Sequence, residues 1–485
     1  MRKVFVVAIF VSALLSSVRA YGQSFEEYEK SMNSAFESFK ENVNKQYEEF
    51  YAKANAQYAD FLKKTWKEFK VEPQIPEPKP NPPVQPVFKP QENTLPQIEV
   101  PVINILPRVT LPQAAPPKPI PTPFVPTAKI NVKFFGAECE LRADKARLDL
   151  QLADDSEESV SQGWSKLSDG RVGALINDCL DLREELKLCD WAYYELLQPV
   201  SKEIYGSDSS RDAIVLQAFI MTQSGYKIRF GRTPESLLIL MSTNTTVYAT
   251  PYVLIDGMKF YAMGKAADSI YVCDFQFPGE TVLSLRVDEL PELPVDSIRG
   301  RELVSKKLGD KKVEINHNRN LIEFLNSYPR CSIENFVNAS LDTLTKQALY
   351  PILKSAIADK TEEVAANILI DFVQSAFDYK VDDEQFGCER TLFANETLYY
   401  PYSDCEDRSL LFATLVKDLL GLDVVLLDYP EHIATAVCFN DDIEGDYMNI
   451  NSKKYLICDP TYIGADIGIC MPNYREVAAK VIATK

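Results

Sequence analysis

Residues 25–69 carry an apolar pattern that repeats every eleven residues, on a background of Glu, Lys, Asn and Gln. Its members are Phe25, Phe36, Tyr47, Tyr58 and Phe69; Tyr28, Phe39, Phe50 and Phe61; and Met32, Val43, Ala54 and Thr65. Eleven residues make three helical turns at about 3.67 residues per turn, so these positions form one stripe. Within the segment 21–70, the pattern predicts one continuous amphipathic helix over residues 25–69.

A helix of this length cannot bury an aromatic stripe by itself. Three partners are open: another copy or another protein, the rest of this chain, or a membrane surface. The polar face has few basic residues, which argues against the membrane.

The next segment, residues 71–127, holds 18 of the 30 prolines. Proline has no N–H to donate, so the segment is predicted to form neither a helix nor a central strand. We expect an extended polyproline spacer that separates the helix from the globular part. Deleting residues 21–127 should then leave the rest folded. A recognition ligand for another domain is the alternative interpretation.

From residue 128 the pattern becomes that of a globular α+β protein of two domains, residues 128–300 and 301–485. Residues 130–134 and 146–152 alternate like strands, residues 226–295 indicate strands and turns, and the apolar periodicity of four further segments predicts helices. Those four segments are 172–205, 211–224, 332–357 and 361–378.

The two domains share a pattern at a distance of 196 residues. Asp404, Gly421, Pro430 and Glu431 fall on Asp208, Gly225, Pro234 and Glu235, and the apolar positions of helix 406–420 fall on those of helix 211–224. We therefore expect residues 172–300 to be a degenerate copy of the second domain. A coincidence between two amphipathic helices is the alternative.

The chain is acidic and begins with a segment typical of a secretory signal peptide, residues 1–20. Arg2 and Lys3 precede an apolar run over residues 4–15, and Val18-Arg19-Ala20 resembles a cleavage site. Removing the segment changes the net charge from −18 to −21, with 49 basic against 70 acidic residues. Such a charge disfavours nucleic acid as a partner. We expect an exported bacterial protein, periplasmic or secreted, without an integral membrane span.

Ten cysteines in an exported chain indicate disulfides, at most four if one thiol stays free. No Cys-x-x-Cys pair occurs and there are two histidines, so no zinc site is expected.

Three residues in the second domain have the types and order of a nucleophilic cysteine site. Cys405 opens an apolar helix, His432 begins the strand-like run 432–437, and Asp459 ends the run 455–458. A helix N-terminus and an imidazole lower the pKa of a thiol, and a carboxylate orients the imidazole. We expect the three to converge, with the thiol and imidazole within about 4 Å and the carboxylate on the far ring nitrogen.

The motifs Ser403-Asp404-Cys405-Glu406-Asp407 and Asp459-Pro460-Thr461, with His432 between them, resemble the transglutaminase-like superfamily, especially its bacterial cysteine-protease-like members. The resemblance covers roughly residues 330–485. It implies a papain-like core, with the Cys at a helix N-terminus packed on an antiparallel sheet. It also implies that Cys405 is the nucleophile, His432 the acid/base and Asp459 the orienting carboxylate.

These roles predict an enzyme that acts on amide bonds through an acyl-thioester, with hydrolysis favoured over cross-linking and a protein or cell-wall peptide as substrate. The alternative is a non-enzymatic scaffold or binding protein of the cell envelope. No cofactor is expected, although the resemblance leaves calcium possible on Asp404, Glu406 and Asp407; the other interpretation is helix capping. The oxyanion donor is open between the Cys405 backbone N–H and a tyrosine of residues 399–402.

If the strand of His432 and the strand that ends at Cys458 are neighbours, the alternation of side chains along a strand sets their faces. Cys438 shares the face of His432, and Cys458 points to the other face because Asp459 must face the site. A bridge between Cys438 and Cys458 is therefore excluded.

Overall fold

The computed structural model describes residues 25–78, 85–89, 96–106, 124–265, 267–309 and 312–484. The predicted signal peptide, residues 1–20, lies outside them. Within the described residues, every helix is too short or too polar to cross a membrane. The chain divides into two units, residues 1–57 and 58–485.

The N-terminal helix, α1, spans Phe25–Leu62 and ends earlier than predicted. The chain turns after Leu62 and enters strand β1, Lys67–Lys70, which contains Phe69. Trp66 fixes this turn: its side chain is buried and its indole N–H donates to the Leu62 carbonyl at 3.1 Å. The prediction of one helix to residue 69 is therefore wrong at its C-terminal end.

The last turn of α1 belongs to the core of residues 58–485. The Tyr58 ring is buried, with its centroid 4.5 Å from that of Trp164 and 5.7 Å from those of Phe275 and Phe277. Within residues 25–57, Phe36 and Phe50 are exposed. Association of that part of the helix with a copy or a partner remains a prediction.

The elements of residues 58–485 come as runs of strands and runs of helices along the chain. Those of the first half are β1 Lys67–Lys70, β2 Val102–Leu106, β3 Lys129–Phe134, β4 Ala137–Arg142, α2 Lys145–Leu148, α3 Glu157–Leu167, α4 Gly173–Glu185, α5 Asp190–Tyr205, α6 Arg211–Gln223, β5 Ile228–Arg232, β6 Leu237–Ser242, β7 Tyr252–Ile255, β8 Met258–Met263 and β9 Ser269–Val272. Those of the second half are β10 Ser297–Val304, β11 Lys312–Asn318, α7 Arg319–Asn326, α8 Thr343–Ile357, α9 Glu362–Ser375, β12 Asp378–Tyr379, α10 Asp382–Gln385, α11 Ala394–Tyr399, β13 Tyr402–Ser403, α12 Cys405–Leu420, β14 Asp423–Tyr429, β15 His432–Cys438, β16 Tyr447–Ile450, β17 Lys453–Cys458 and β18 Ala479–Ala483. Short 3₁₀ turns add Ile333–Asn335 and Pro472–Tyr474.

Several predicted elements need correction. Residues 146–152 do not form a strand, because Asp144 caps the short helix α2 by accepting from the Ala146 N–H. The predicted helix 172–205 is broken between α4 and α5, and the helix predicted over 332–357 begins at Thr343, behind the N-cap Asp342. The α+β class is confirmed.

Two six-stranded sheets form the centres of the two halves, and they have the same strand order. The first runs β7-β8-β6-β5-β9-β1 and the second β16-β17-β15-β14-β18-β2. Neighbouring strands are antiparallel except β18 and β2, which are parallel. In each sheet the five strands that follow the central helix hold equivalent positions. The two halves therefore repeat one topology.

The strand registers agree as closely as the order. Met263 lies opposite Ile239 in the first sheet, and Cys458 lies opposite Thr435 in the second. Shifts of 196 residues for β5 and β6, and 195 for β7 and β8, superimpose the pairings. His432 therefore corresponds to Ser236 and Asp459 to Gly264, as the sequence shift suggests.

A helix precedes and packs on each sheet, α6 in the first half and α12 in the second. Each is followed by a glycine in the left-handed region, Gly225 with φ +92° and Gly421 with φ +68°. Helix α6 has Ser210 as its N-cap and so starts two residues later than the shift predicts. Ser209, the counterpart of Cys405, consequently lies just ahead of the helix.

The proline-rich segment is not a free spacer, so that prediction is wrong. Strand β2, within the segment, is an edge strand of the second sheet, and β1, just before the segment, is an edge strand of the first. Single bridges at Glu72, Val87 and Glu99 attach the segment at further points. The sequence permits this because Val102–Leu106 contains no proline and an edge strand tolerates Pro101 before it.

All ten cysteines have free thiols, so the expected disulfides are not found. The pairing of Cys458 with Thr435 places Cys458 on the face opposite to that of His432 and Cys438. The exclusion of a bridge between Cys438 and Cys458 therefore rests on the observed register.

Candidate active site

Cys405 is the first residue of α12, a sixteen-residue helix whose N-cap is Asp404. Asp407, in the first turn, stabilises the N-terminus of α12, because its carboxylate accepts hydrogen bonds from the backbone N–H groups of Asp404 at 3.5 Å and of Leu392 at 2.8 Å. The unpaired N–H groups and the dipole of a helix N-terminus favour negative charge at this position.

His432 and Asp459 form a buried pair at the ends of two neighbouring strands. His432 begins β15 after a two-residue turn in which Glu431 has φ +64°. The His432 Nε2 and Asp459 Oδ2 atoms are 2.8 Å apart. The other carboxylate oxygen of Asp459 accepts from the N–H groups of Thr461 at 2.9 Å and Tyr462 at 3.3 Å. The turn after β17 therefore fixes the carboxylate, and the carboxylate fixes the imidazole.

Cys405 lies beside the start of the His432 strand. The backbone N–H of Ile433 donates to the Cys405 sulfur, and the Ser409 hydroxyl donates to the Ile433 carbonyl at 3.1 Å. Ser409 is one helical turn along α12 from Cys405, so one face of the helix binds both the N–H and the carbonyl group of Ile433. The helix and the strand are thereby held together at the site.

The structure shows no hydrogen bond between the thiol and the imidazole. His432 Nδ1 is buried and has no hydrogen-bond partner among the described residues. The Cys405 thiol instead donates to Glu406 Oε2 at 3.2 Å. Burial, and then the carboxylates of Glu406 and Asp404, raise the pKa of Cys405, against the lowering effect of the Ile433 N–H. These influences favour the thiol over the thiolate.

A cluster of buried carboxylates surrounds the N-terminus of α12. Asp382, Glu389, Asp404 and Glu406 each place one carboxylate oxygen within 4.8 Å of the others. Burial and the neighbouring carboxylates raise the pKa of Asp382 to about 11 and raise those of Asp404 and Glu406. Several of these groups are therefore protonated when no cation balances them.

The geometry of this cluster fits a calcium ion. Calcium binds oxygen at 2.3–2.6 Å, so its ligands lie up to about 5 Å apart. The Oδ1 atom of Asp404 is buried without a hydrogen-bond partner among the described residues, which leaves a ligand atom free. The expected ligand set needs correction: Asp404 and Glu406 belong to the cluster, but Asp407 serves as a capping residue, and Asp382 and Glu389 take its place.

Three residues that sequence reasoning missed hold the site in shape. Gln374, near the end of α9, donates to the carbonyls of Asp459 at 3.2 Å and of Tyr462 and Ala465 at 2.9 Å. The buried guanidinium of Arg408 donates to Ser403, Gln374 and Phe377. The Tyr474 ring stacks on His432 with centroids 5.0 Å apart. The available signal for Gln374 was a polar residue directly after the apolar pair Phe372 and Val373 of α9.

The observed contacts of the tyrosines at positions 399, 400 and 402 do not mark any of them as an oxyanion donor. Tyr399 packs edge-on against His317, Tyr400 against Phe386, and Tyr402 lies in the short strand β13. Their positions match the packing interpretation.

Each half has a cavity at the same place in the repeated topology. In the second half a cavity of about 180 Å³ borders Glu406, Glu431, His432 and Ile433. In the first half a wider cavity of about 810 Å³ borders the corresponding positions. Those positions are Ser210, Glu235, Ser236 and Leu237, with Ser209 beside them. The first half therefore has Ser209, Ser236 and Gly264 where the second half has Cys405, His432 and Asp459, and of these last three His432 borders the cavity.

Comparisons with models of known protein families, with curated proteins and with solved structures found no match. The site is therefore interpreted from its own geometry.

Proposed function

We propose that this chain is a transglutaminase-like thiol enzyme that acts on amide or peptide bonds through Cys405, His432 and Asp459. The observation that carries the proposal is the buried 2.8 Å pair of His432 and Asp459 beside a cysteine at the start of a long helix. Asp459 occupies Nε2, so Nδ1 is the nitrogen left to exchange a proton with the thiol. If His432 served packing alone, there would be no reason for the Asp459 carboxylate to be held so firmly against it.

The proposed reaction has two steps. In the first, Cys405 gives its proton to His432, the sulfur attacks the carbonyl carbon, and the C–N bond breaks as the imidazolium protonates the leaving amine. In the second, His432 takes a proton from water, the hydroxide attacks the thioester, and the C–S bond breaks to release the acid and the thiol. An amine in place of water would give cross-linking. Hydrolysis is favoured because water is abundant in the periplasm or outside the cell, where the signal-like segment 1–20 would direct the chain.

The first step requires the thiol to leave Glu406. A rotation about the Cα–Cβ bond of Cys405 would bring the sulfur towards Nδ1 of His432. The backbone N–H groups at the start of α12 supply the candidate oxyanion donors, with that of Cys405 foremost. A calcium ion held by Asp382, Glu389, Asp404 and Glu406 would balance the negative charge beside the thiol.

The test is alkylation by iodoacetamide at pH 7, with peptide mass spectrometry to follow each of the ten cysteines. We expect His432→Ala and Asp459→Asn to slow the labelling of Cys405 by about tenfold or more, since a positioned base contributes 10² to 10⁴. Asp442→Asn, at an exposed carboxylate paired with Lys454, is the matched control and should have no effect. A Cys405 rate that does not depend on His432 would exclude the triad.

A second candidate function is a non-enzymatic binding scaffold of the cell envelope. The complete burial of Cys405 and the hydrogen bond that its thiol donates to Glu406 favour this function. The same alkylation series separates the two, because a scaffold gives His432 no influence on the reactivity of Cys405.

A further inference from the structure

The proposed active site is closed to solvent in this structure. Cys405, His432 and Asp459 are 0%, 1% and 3% exposed. The cavity that borders His432 has a wall formed by distant parts of the chain. Those parts are Tyr248 in the loop between β6 and β7, residues 331–334, and Glu77 with Pro78 of the proline-rich segment.

Residues 73–78, which we call the strap, lie outside any helix or strand and place Glu77 and Pro78 at this wall. Just before the strap, the N–H of Glu72 donates to the Tyr252 carbonyl at 2.8 Å. Within the strap, the Ile75 carbonyl accepts from the Ala249 N–H, also at 2.8 Å. These bonds are the kind that an extended peptide makes when it adds to the edge of a sheet. The prolines at 73, 76 and 78 have no N–H, so the strap is held by few backbone bonds.

Glu77 is the strap side chain that faces the cavity. Its Oε2 atom is buried and has no hydrogen-bond partner among the described residues. A buried polar group without a partner costs free energy. The strap backbone is therefore hydrogen-bonded to the groove beside the cavity, whereas the Glu77 side chain lacks a hydrogen bond there. This combination is expected of a segment that another peptide can displace.

We propose that the strap occupies the groove in which an extended polypeptide substrate binds, and that Cys405 becomes accessible only when the strap leaves. This inference rests on the proposed function and names its substrate class. A carbonyl group of the substrate backbone would accept a hydrogen bond from the Ala249 N–H in place of the Ile75 carbonyl. One substrate side chain would enter the cavity in place of Glu77.

The charges of the cavity wall select among substrates. Glu334 and Glu431 line the wall, and Lys480, which also lines it, lies 3.5 Å from Asp428. A neutral or basic side chain would therefore be accepted in preference to an acidic one. The volume of about 180 Å³ has room for one side chain of ordinary size.

The test compares Cys405 alkylation by iodoacetamide in the full chain and in three variants. The first replaces residues 73–78 with Gly-Ser-Gly-Ser-Gly-Ser, which preserves the chain length between β1 and β2. The second is Glu77→Ala, and the third is the matched control Gln74→Ala, at an exposed position of the same strap. We expect a rise of about tenfold or more for the replacement, a smaller rise for Glu77→Ala, and no change for Gln74→Ala.

Hydrogen exchange at the Ala249 amide shows whether the strap has detached. Faster exchange at Ala249 with an unchanged Cys405 rate would overturn the inference. A synthetic peptide with the sequence of residues 72–79 should protect Cys405 again in the replacement variant, and a scrambled peptide should not. Absence of protection would exclude the groove as the site of the strap peptide.

Adding His432→Ala to the replacement variant separates this inference from the proposed function. Fast labelling that does not depend on His432 would support occlusion by the strap and exclude the triad. Labelling that depends on His432 but is equal with and without the strap would support the triad and exclude occlusion.

Discussion

Cys405 experiences opposing influences, and the balance between them decides its chemistry. The helix N-terminus and the Ile433 N–H favour the thiolate, whereas burial, Asp404 and Glu406 favour the thiol. The second group of influences dominates and raises the pKa of Cys405. The carboxylate cluster is therefore as important to the site as the imidazole.

The cluster predicts that calcium stabilises the protein. Calcium should raise the melting temperature, by the equivalent of about 2.7 kcal/mol at a hundred times its dissociation constant. Asp382→Asn should abolish most of this gain and leave the metal-free protein no less stable, because it removes one of four crowded carboxylates. Calorimetry with and without calcium measures both effects, and Glu384→Gln, exposed and outside the cluster, is the control. An equal gain in Asp382→Asn would show that calcium binds elsewhere.

His317 predicts a loss of stability in mild acid. It is buried in β11, both ring nitrogens lack a hydrogen-bond partner among the described residues, and burial lowers its pKa to about 4. Nearby Asp342 raises this pKa and Arg301 lowers it. In the unfolded state His317 has a pKa near 6.5 and therefore binds a proton at a higher pH than in the folded state. The stability that the buried neutral His317 provides is thus fully present above pH 6.5 and is lost as the pH falls towards 4.

The size of the effect follows from the same shift. Between pH 7 and pH 4.5 the wild type should lose about 2–3 kcal/mol more stability than His317→Gln, which cannot take up the proton. Urea unfolding at the two pH values measures the difference, and His432 is present in both proteins. An equal loss in both would mean that His317 is already charged in the folded state.

At the scale of elements, the sequence predicted what local pattern determines and missed what distant pairing determines. The Cys405 helix, the His432 strand and the turn at Asp459 follow from apolar runs and turn residues, and the structure has all three. Asp382 and Glu389 escaped notice because they join the cluster only through folding, from a short helix and a loop. Strand β2 escaped because five residues between prolines carry little periodic signal, and β1 escaped because its residues continue the helical repeat that ends at Phe69.

Strand β2 provides a direct test of whether the proline-rich segment belongs to the core. Ile105 packs against the apolar core of the second sheet, whereas Ile103, at the irregularity in the pairing of β2 with β18, is 70% exposed. Ile105→Asp should therefore lower the free energy of unfolding by about 1–2 kcal/mol, and Ile103→Asp should change it little. Urea denaturation compares the two. Equal effects would mean that β2 does not pair with β18 in solution.

At the scale of the whole molecule, one N-terminal segment joins two copies of the same topology. Residues 67–70 complete the first sheet and residues 102–106 complete the second. Between the halves, the Tyr248 N–H donates to the Arg330 carbonyl at 2.8 Å and the Ser332 N–H to the Thr246 carbonyl at 3.3 Å. The first copy has Ser209, Ser236 and Gly264 in place of Cys405, His432 and Asp459, but through Tyr248 it contributes to the wall of the cavity beside His432.

This arrangement predicts that the proposed catalytic half cannot be excised. A fragment of residues 301–485 would leave β18 without its β2 neighbour and would expose the loop at Arg330, so we expect it to lack a cooperative unfolding transition. Residues 58–485 keep both edge strands and should unfold in one transition, with or without residues 25–57. Near-ultraviolet circular dichroism and urea denaturation of the two fragments measure this. A sharp transition in residues 301–485 alone would show that the second sheet is stable without its sixth strand, and the shared segment would then serve to close the active site and not to hold the fold.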